Sequence, residues 1–389
     1  MKKFSVVKSE RRFKCGSKKK SRNCHGKKKS LPSPKFIQEV FSKMQIAQEF
    51  HFKHFGHIPE IVSVVFEGRR LVSLEGKLIG SNHPTKDWQT PSDFLIDYLV
   101  ETLDKNWLDE QIKLTNRRHI VADWILEAGF KINDANNPIE SLQLNGSAFN
   151  LLHLAYDLYV LENQNCLSDS VIKKRLIGDL KIMPNFNGAR YEIFMFATLL
   201  RAGFELTLFN QLKSGVGRIS ECRAKHIKTG VFLQAEAKTR NVKGKMGATQ
   251  GDEKSLNLYH KLKNAMEKNV NEPYIIFVDL NLPEFSVIKD TDRLDAIRSE
   301  YQKLEEKYPQ SMPNFVCFTN IPFHYEGIDD PLKNSAHGLI LSKTPRFKLH
   351  NENIIFNEIE ESLLKQRFLP RIFNESTAYA DEEFKKPKL

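Results

Sequence analysis

A chain of 389 residues with 40% hydrophobic content has room for two or three domains and enough apolar material for ordinary cores. No uninterrupted apolar run is long enough to cross a bilayer, and the lysine-rich start lacks the apolar segment of a secretory signal, so a soluble, cytoplasmic protein is expected. The 5 cysteines, odd in number and sparse, argue against a disulfide framework, and the formal net charge of +11 is concentrated at one end.

Residues 1–30 hold thirteen Lys and Arg against the single acid Glu10, a balance of +12 that leaves −1 for the rest of the chain. Such a leader is suited to a polyanion, with nucleic acid, a ribosome or an anionic membrane surface all allowed by charge; a solvated basic tail is the plainer alternative. Within it, Cys15, Cys24 and His25 are ligand types that zinc takes. The segment FKCGSKKKSRNCHG resembles the SEC-C motif, a short zinc-binding element, with Phe13 standing where that family has its first Cys. The resemblance implies either a remodelled zinc knuckle that grips a protein or nucleic-acid partner, or a relic that has lost its metal.

After a linker at 31–35, the apolar spacing predicts a helix over 36–55 and a pair of strands over 61–80 joined around Gly68. His51, His54 and His57 recur at three-residue spacing beside Phe50, Phe52 and Phe55, a pattern that packing explains better than metal binding. Helices are expected at 92–103, at 119–128 up to Gly129, at 147–162 and at 171–180. Asn187-Gly188 punctuates the chain before a helix over 191–201 closed by Gly203, with Glu192 near its start at the edge of a broad apolar face.

The stretch from Gly217 to Arg240 carries the chemistry. Its second half alternates, with Val231, Leu233, Ala235 and Ala237 on one side and Phe232, Gln234, Glu236, Lys238 and Arg240 on the other, so it reads as a strand with an apolar back and a polar front. A two-residue turn at Thr229-Gly230 would pair it with the preceding segment, setting Lys228 opposite Val231 and Glu221 opposite Lys238. Glu221, Glu236 and Lys238 then share a face. Two carboxylates suit a hard divalent cation, Mg²⁺ or Mn²⁺, and the ammonium can orient a water or offset charge growing on a phosphate. Arg223, Lys225, Gln234 and Arg240, with Lys243 and Lys245 on the following glycine-containing loop, are candidate phosphate contacts. A cross-strand ion pair on a wet sheet face would account for Glu221 and Lys238 without any metal.

A helix over 256–269, a doubly apolar strand at 274–278, a charged helix over 293–308, a strand at PNFVCFTNIPF and an edge strand at HGLILSK complete the pattern, before a tail. The order helix, three strands, helix, strand, with an acid in the first helix, one in the second strand and Glu-x-Lys in the third, resembles the PD-(D/E)XK nuclease superfamily over about residues 189–282. Glu-x-Lys alone also occurs at Glu75, Glu305 and Glu383, so the strand context carries the resemblance and the tripeptide does not. The resemblance implies catalytic roles for Glu221, in the place of the family's aspartate and after Ser220 instead of proline, and for Glu236, Lys238 and Glu192. It implies an α/β fold (α+β) with a mixed sheet and an αβββαβ restriction-endonuclease-like core. The expected organisation is a basic leader at 1–30, a mostly helical domain with a β-hairpin at 31–185, a nuclease-like domain at 186–345 and a C-terminal tail at 346–389. The implied activity is metal-dependent hydrolysis of DNA or RNA; a non-catalytic nucleic-acid-binding, ribosome-associated or adaptor protein on the same fold is the alternative.

Overall fold

The computed structural model describes residues 33–55, 62–66, 69–74, 77–80, 91–129, 145–210, 219–240, 258–282, 291–321 and 336–366. Cys15, Cys24, His25, His57, Lys243 and Lys245 lie outside the described residues, as does the last segment FKKPKL. The chain divides into two units, 1–91 with 372–389 and 92–371.

In the first unit, α1 (Pro34–Phe55) precedes an antiparallel sheet of β1 (Val62–Phe66), β2 (Arg69–Leu74) and β3 (Lys77–Gly80). Where the apolar pattern suggested two strands there are three: Leu74 pairs with Lys77 across only two intervening residues, which divides RLVSLEGKLIG in two.

The second unit joins a helical layer to a six-stranded sheet. Helices α2 (Pro91–Leu103), α3 (Lys105–Lys113) and α4 (Ile120–Glu127) lead to α5 (Gly146–Asn163), which is buried from Gly146 to Leu161 on every side. That all-round burial makes α5 the centre of the helical layer. Helix α6 (Ser170–Leu180) and helix α7 (Met183–Arg201) follow and pack on each other. Helix α7 begins about one turn before the Asn187-Gly188 signal and runs through it. Pro184 opens it, Phe186 packs on Trp124 with ring centroids 5.6 Å apart, and Arg190 binds Asp157 of α5 at 3.1 Å, so tertiary contacts override a weak breaker. Glu192 is therefore a mid-helix residue, and a first-turn dipole role does not explain it.

The sheet is mixed, in the order β4 (Phe204–Leu208), β5 (Cys222–His226), β6 (Phe232–Thr239), β7 (Tyr274–Asp279), β8 (Phe315–Asn320) and β9 (Ala336–Leu341). Strands β4, β5 and β6 are antiparallel neighbours, β6 to β8 run parallel, and β9 is an antiparallel edge. Crossovers through α8 (Leu258–Met266) and α9 (Thr291–Lys307) serve the parallel pairs, as parallel strands require. Strands β7 and β8 are buried along their whole length, which is why their sequences are apolar without alternation. The element order α7, β4, β5, β6, α8, β7 is the expected one. Helix α7 covers one sheet face, where Tyr191 meets Thr319 at 2.7 Å, and α8 and α9 cover the other through Leu258, Leu262, Ile297 and Leu304 against Ile276, Val278, Val316 and Phe318. Within the stretch read as a tail, α10 (Glu352–Gln366) packs on α7, and Ser362 donates to the Thr198 carbonyl at 2.9 Å.

The β5–β6 hairpin differs from expectation by two residues. Val231 lies opposite His226, whose amide donates to the Val231 carbonyl at 2.8 Å, and the turn is Ile227–Gly230 with Gly230 at φ 70°. Cys222 pairs with Ala235, so Glu221 stands opposite Glu236 and not opposite Lys238. An even shift keeps every side chain on its predicted face, whereas a shift of one would have inverted them all.

Candidate active site

Glu236 is fully buried in the middle of β6, on the face toward α8. Its Oε1 receives the ammonium of Lys238, two residues along the same face, and that of Lys268, just past α8, at 3.1 Å. Lys268 also donates to the Ile219 carbonyl at 2.9 Å, which ties the segment carrying Glu221 to the end of α8. The second oxygen, Oε2, is buried and has no hydrogen-bond partner among the described residues.

Glu221 is set beside Glu236 by its amide, which donates to the Ala235 carbonyl at 3.0 Å. Burial, and after it the negative charges of Glu192 and Glu236, hold its carboxyl well above the usual carboxylate range, while Lys268 and Lys238 oppose that rise less strongly. Glu192 comes from the opposite side of the sheet on α7. Its Oε2 accepts from Arg175 of α6 at 3.0 Å, and its Oε1 from the other terminal nitrogen of the same guanidinium. Burial raises the Glu192 pKa, Arg175 pulls it down, and Glu236 and Asp179 add to the rise. Burial works against the charge of Arg175, but Glu192, Glu221 and Asp179 outweigh it and raise its pKa.

Three carboxylates from three elements therefore act on one another electrostatically, within a frame of Arg175, Lys238 and Lys268. Lys268 and Arg175 were missed in the sequence: one follows a helix with no motif around it, the other sits on α6, and only tertiary packing brings either to Glu236 or Glu192.

Among the described residues no three acidic, histidine or cysteine side chains converge as a finished metal cage. The donor set nevertheless fits a hard cation. Mg²⁺ is held by one or two carboxylates with water completing its shell, Glu236 Oε2 is an unpartnered buried oxygen, and Glu221 lies across the strand pair from it.

The candidate phosphate contacts separate into two kinds. Arg240 is buried and bound to the carbonyls of Leu280 and Asn281 at 2.7 and 2.8 Å, and buried Gln234 accepts from the Asn271 amide at 3.2 Å; both serve the interior. Arg223 lies 3.8 Å above the Phe232 ring and grips Glu272 through Nε at 2.8 and 2.9 Å, while Lys225 faces Glu205 at 4.0 Å. These two are on the face of Glu221 and partly exposed, although each already has an acidic partner. A cavity of about 250 Å³ between α9 and the β8–β9 edge, lined by Leu280, Ile297, Phe318, His337 and Ile340, includes none of the three carboxylates.

Among the described residues no helix is long and apolar enough to cross a membrane. Comparison with protein-family models, with curated proteins and with solved structures finds no match to this chain.

Proposed function

We propose that this protein is a divalent-cation-dependent nuclease of the PD-(D/E)XK type, hydrolysing phosphodiester bonds of DNA or RNA. The observation that carries the reading is the juxtaposition of Glu221 and Glu236 across one strand pair, with Glu236 bonded to Lys238 and Glu192 adding its charge from α7. A structural ion pair between Glu221 and Lys238 is not what the residues form. Lys238 goes to Glu236, while burial and the negative charges of Glu192 and Glu236 hold the Glu221 carboxyl well above its ordinary range, a condition that a bound cation would relieve.

Glu221 and Glu236 would hold Mg²⁺ or Mn²⁺, which when bound supplies positive charge to the phosphate and makes the attacking water more acidic. Lys238 projects from the same face, about 7 Å along the strand from Glu236. Its ammonium, which rests on Glu236, would orient the attacking water and offset the charge developing on the phosphate. Arg175 fixes the Glu192 carboxylate by two hydrogen bonds, so that Glu192 shapes the cluster from behind. The basic leader, with Cys15, Cys24 and His25, would dock the same polyanion or a protein partner.

Incubation of purified protein with DNA and RNA panels in Mg²⁺ or Mn²⁺ tests this directly. Cleavage that needs the cation and is lost in Lys238→Ala, with nucleic-acid binding retained, is the expected result. Equal cutting by wild type, Lys238→Ala and Glu236→Ala would overturn it, and binding without cutting would favour the non-catalytic alternative.

A further inference from the structure

The sheet edge at β4 is open on one face. In β5, Cys222, Ala224 and His226 are buried, while Arg223 is half-buried and Lys225 exposed between them, and in the edge strand β4 Glu205 and Thr207 are exposed. Strand pairing aligns these side chains in rows: Glu205, Lys225 and Phe232 in one, Thr207, Arg223 and Gln234 in the next. Glu221, opposite Glu236, continues the same face, about 7 Å along β5 from Arg223. The open strip therefore leads from the sheet edge to the carboxylates.

At its middle Arg223 is held as a flat tile. Its Cζ lies 3.8 Å from the centroid of the Phe232 ring, the spacing of two stacked planes. Its Nε donates to the two Glu272 oxygens at 2.8 and 2.9 Å, and a terminal nitrogen donates to Oε1 of the same carboxylate. Phe232 closes one side of the guanidinium, and the side chain still keeps 41% of its surface open. Glu272 matches its charge, so Arg223 is poorly suited to a phosphate and offers instead a rigid planar face. Lys225 differs. It is 45% exposed and 4.0 Å from the exposed Glu205, at the limit of an ion pair, so its ammonium can turn to a phosphate.

We propose that this strip receives a single strand of nucleic acid, with an unpaired base stacked on the open face of Arg223 and a backbone phosphate on Lys225. This rests on the nuclease reading and names the substrate class of that site: strands with unpaired bases, since a base inside a duplex already has both faces covered.

The test is fluorescence anisotropy in Ca²⁺ over a range of KCl, with a labelled oligothymidylate, an abasic strand of equal length and a duplex, for wild type, Arg223→Lys and Lys225→Gln. Wild type should bind the oligothymidylate about tenfold more tightly than the abasic strand, the order of one stacked base. Arg223→Lys keeps the charge and loses the plane, so it should erase that preference and leave the salt slope unchanged. Lys225→Gln should keep the preference and reduce the slope by about one. The platform is overturned if wild type and Arg223→Lys show the same preference, if Arg223→Lys weakens both strands equally, or if wild type binds the duplex best. Cleavage in Mg²⁺ is scored separately. If wild type cuts nucleic acid but shows no preference for bases, the platform falls and the nuclease reading stands. If nothing is cut while the preference is present and lost in Arg223→Lys, the nuclease reading falls and the strip stands as a binding surface.

Discussion

Lys268 and Glu236 meet at 3.1 Å, an ammonium from beyond α8 on a carboxylate that β6 buries completely. Together with Lys238 it gives this buried carboxylate two ammonium partners. Replacing Lys268 by Met leaves Glu236 with one ammonium, and should lower stability by about 1–3 kcal/mol, less than loss of a sole partner would cost. Mn²⁺ should raise the melting temperature of Lys268→Met more than that of wild type, because the cation takes over the missing charge. Equal shifts in both proteins, read by differential scanning calorimetry, would separate Lys268 from the cation site.

Glu221 stands among like charges, so its removal has opposite effects on stability and on function. Glu221→Gln should melt higher than wild type without added cation at pH 8, since a repulsive carboxylate is gone. The same protein should bind Mn²⁺ at least tenfold more weakly and lose cleavage. Calorimetric titration and thermal melts on one sample check both halves.

Arg175 and Glu192 form a buried, two-pronged pair. Arg175→Met strands the Glu192 carboxylate and should cost about 3 kcal/mol, whereas the double variant Arg175→Met with Glu192→Leu should recover much of that. A double-mutant cycle by urea denaturation measures the coupling, and additivity of the two single changes would show that the pair is not a unit.

Asp279, at the end of β7, is raised from 3.8 to about 7, by burial first, while hydrogen bonds from the Ile321 amide and Thr319 oppose the rise. An acid whose folded pKa exceeds its unfolded value keeps its proton longer in the folded state. Stability is therefore highest below about pH 4 for this group and falls as pH climbs to about 7. Between pH 5 and 7.5 wild type should lose stability relative to Asp279→Asn, by a few kcal/mol at most. Parallel melting curves for the two proteins across that range would disprove the assignment.

What the sequence revealed and what it hid follow from the range of the contacts involved. Alternation in β6 and the doubly apolar runs of β7 and β8 are local patterns imposed by burial, and they were legible. The face shared by Glu221, Glu236 and Lys238 was legible too, because parity survives a two-residue error in the turn. The turn itself was misread: Thr229-Gly230 looks like a two-residue loop, yet Gly230 closes a four-residue one, its amide donating to the His226 carbonyl at 2.8 Å. Long-range partners were hidden. Nothing near Arg175 or Lys268 announces Glu192 or Glu236, and nothing near Arg240 says that its charge is spent on carbonyls of the loop after β7. Helix α7 was shortened in the reading because the Asn-Gly signal is local, and the pair Arg190–Asp157 that overrides it is not.

Helix α10 gives the molecule an order of assembly. It braces α7, the helix that carries Glu192, through Ser362 and Thr198, and its Glu358 meets both His226 and Lys228 at the turn that sets the Glu221–Glu236 register. All three carboxylates precede it in the chain. On the ribosome, a growing polypeptide has therefore synthesised every acid of the cluster before the helix that steadies their supports has emerged. Translation itself would delay the moment at which these groups are held firmly in place.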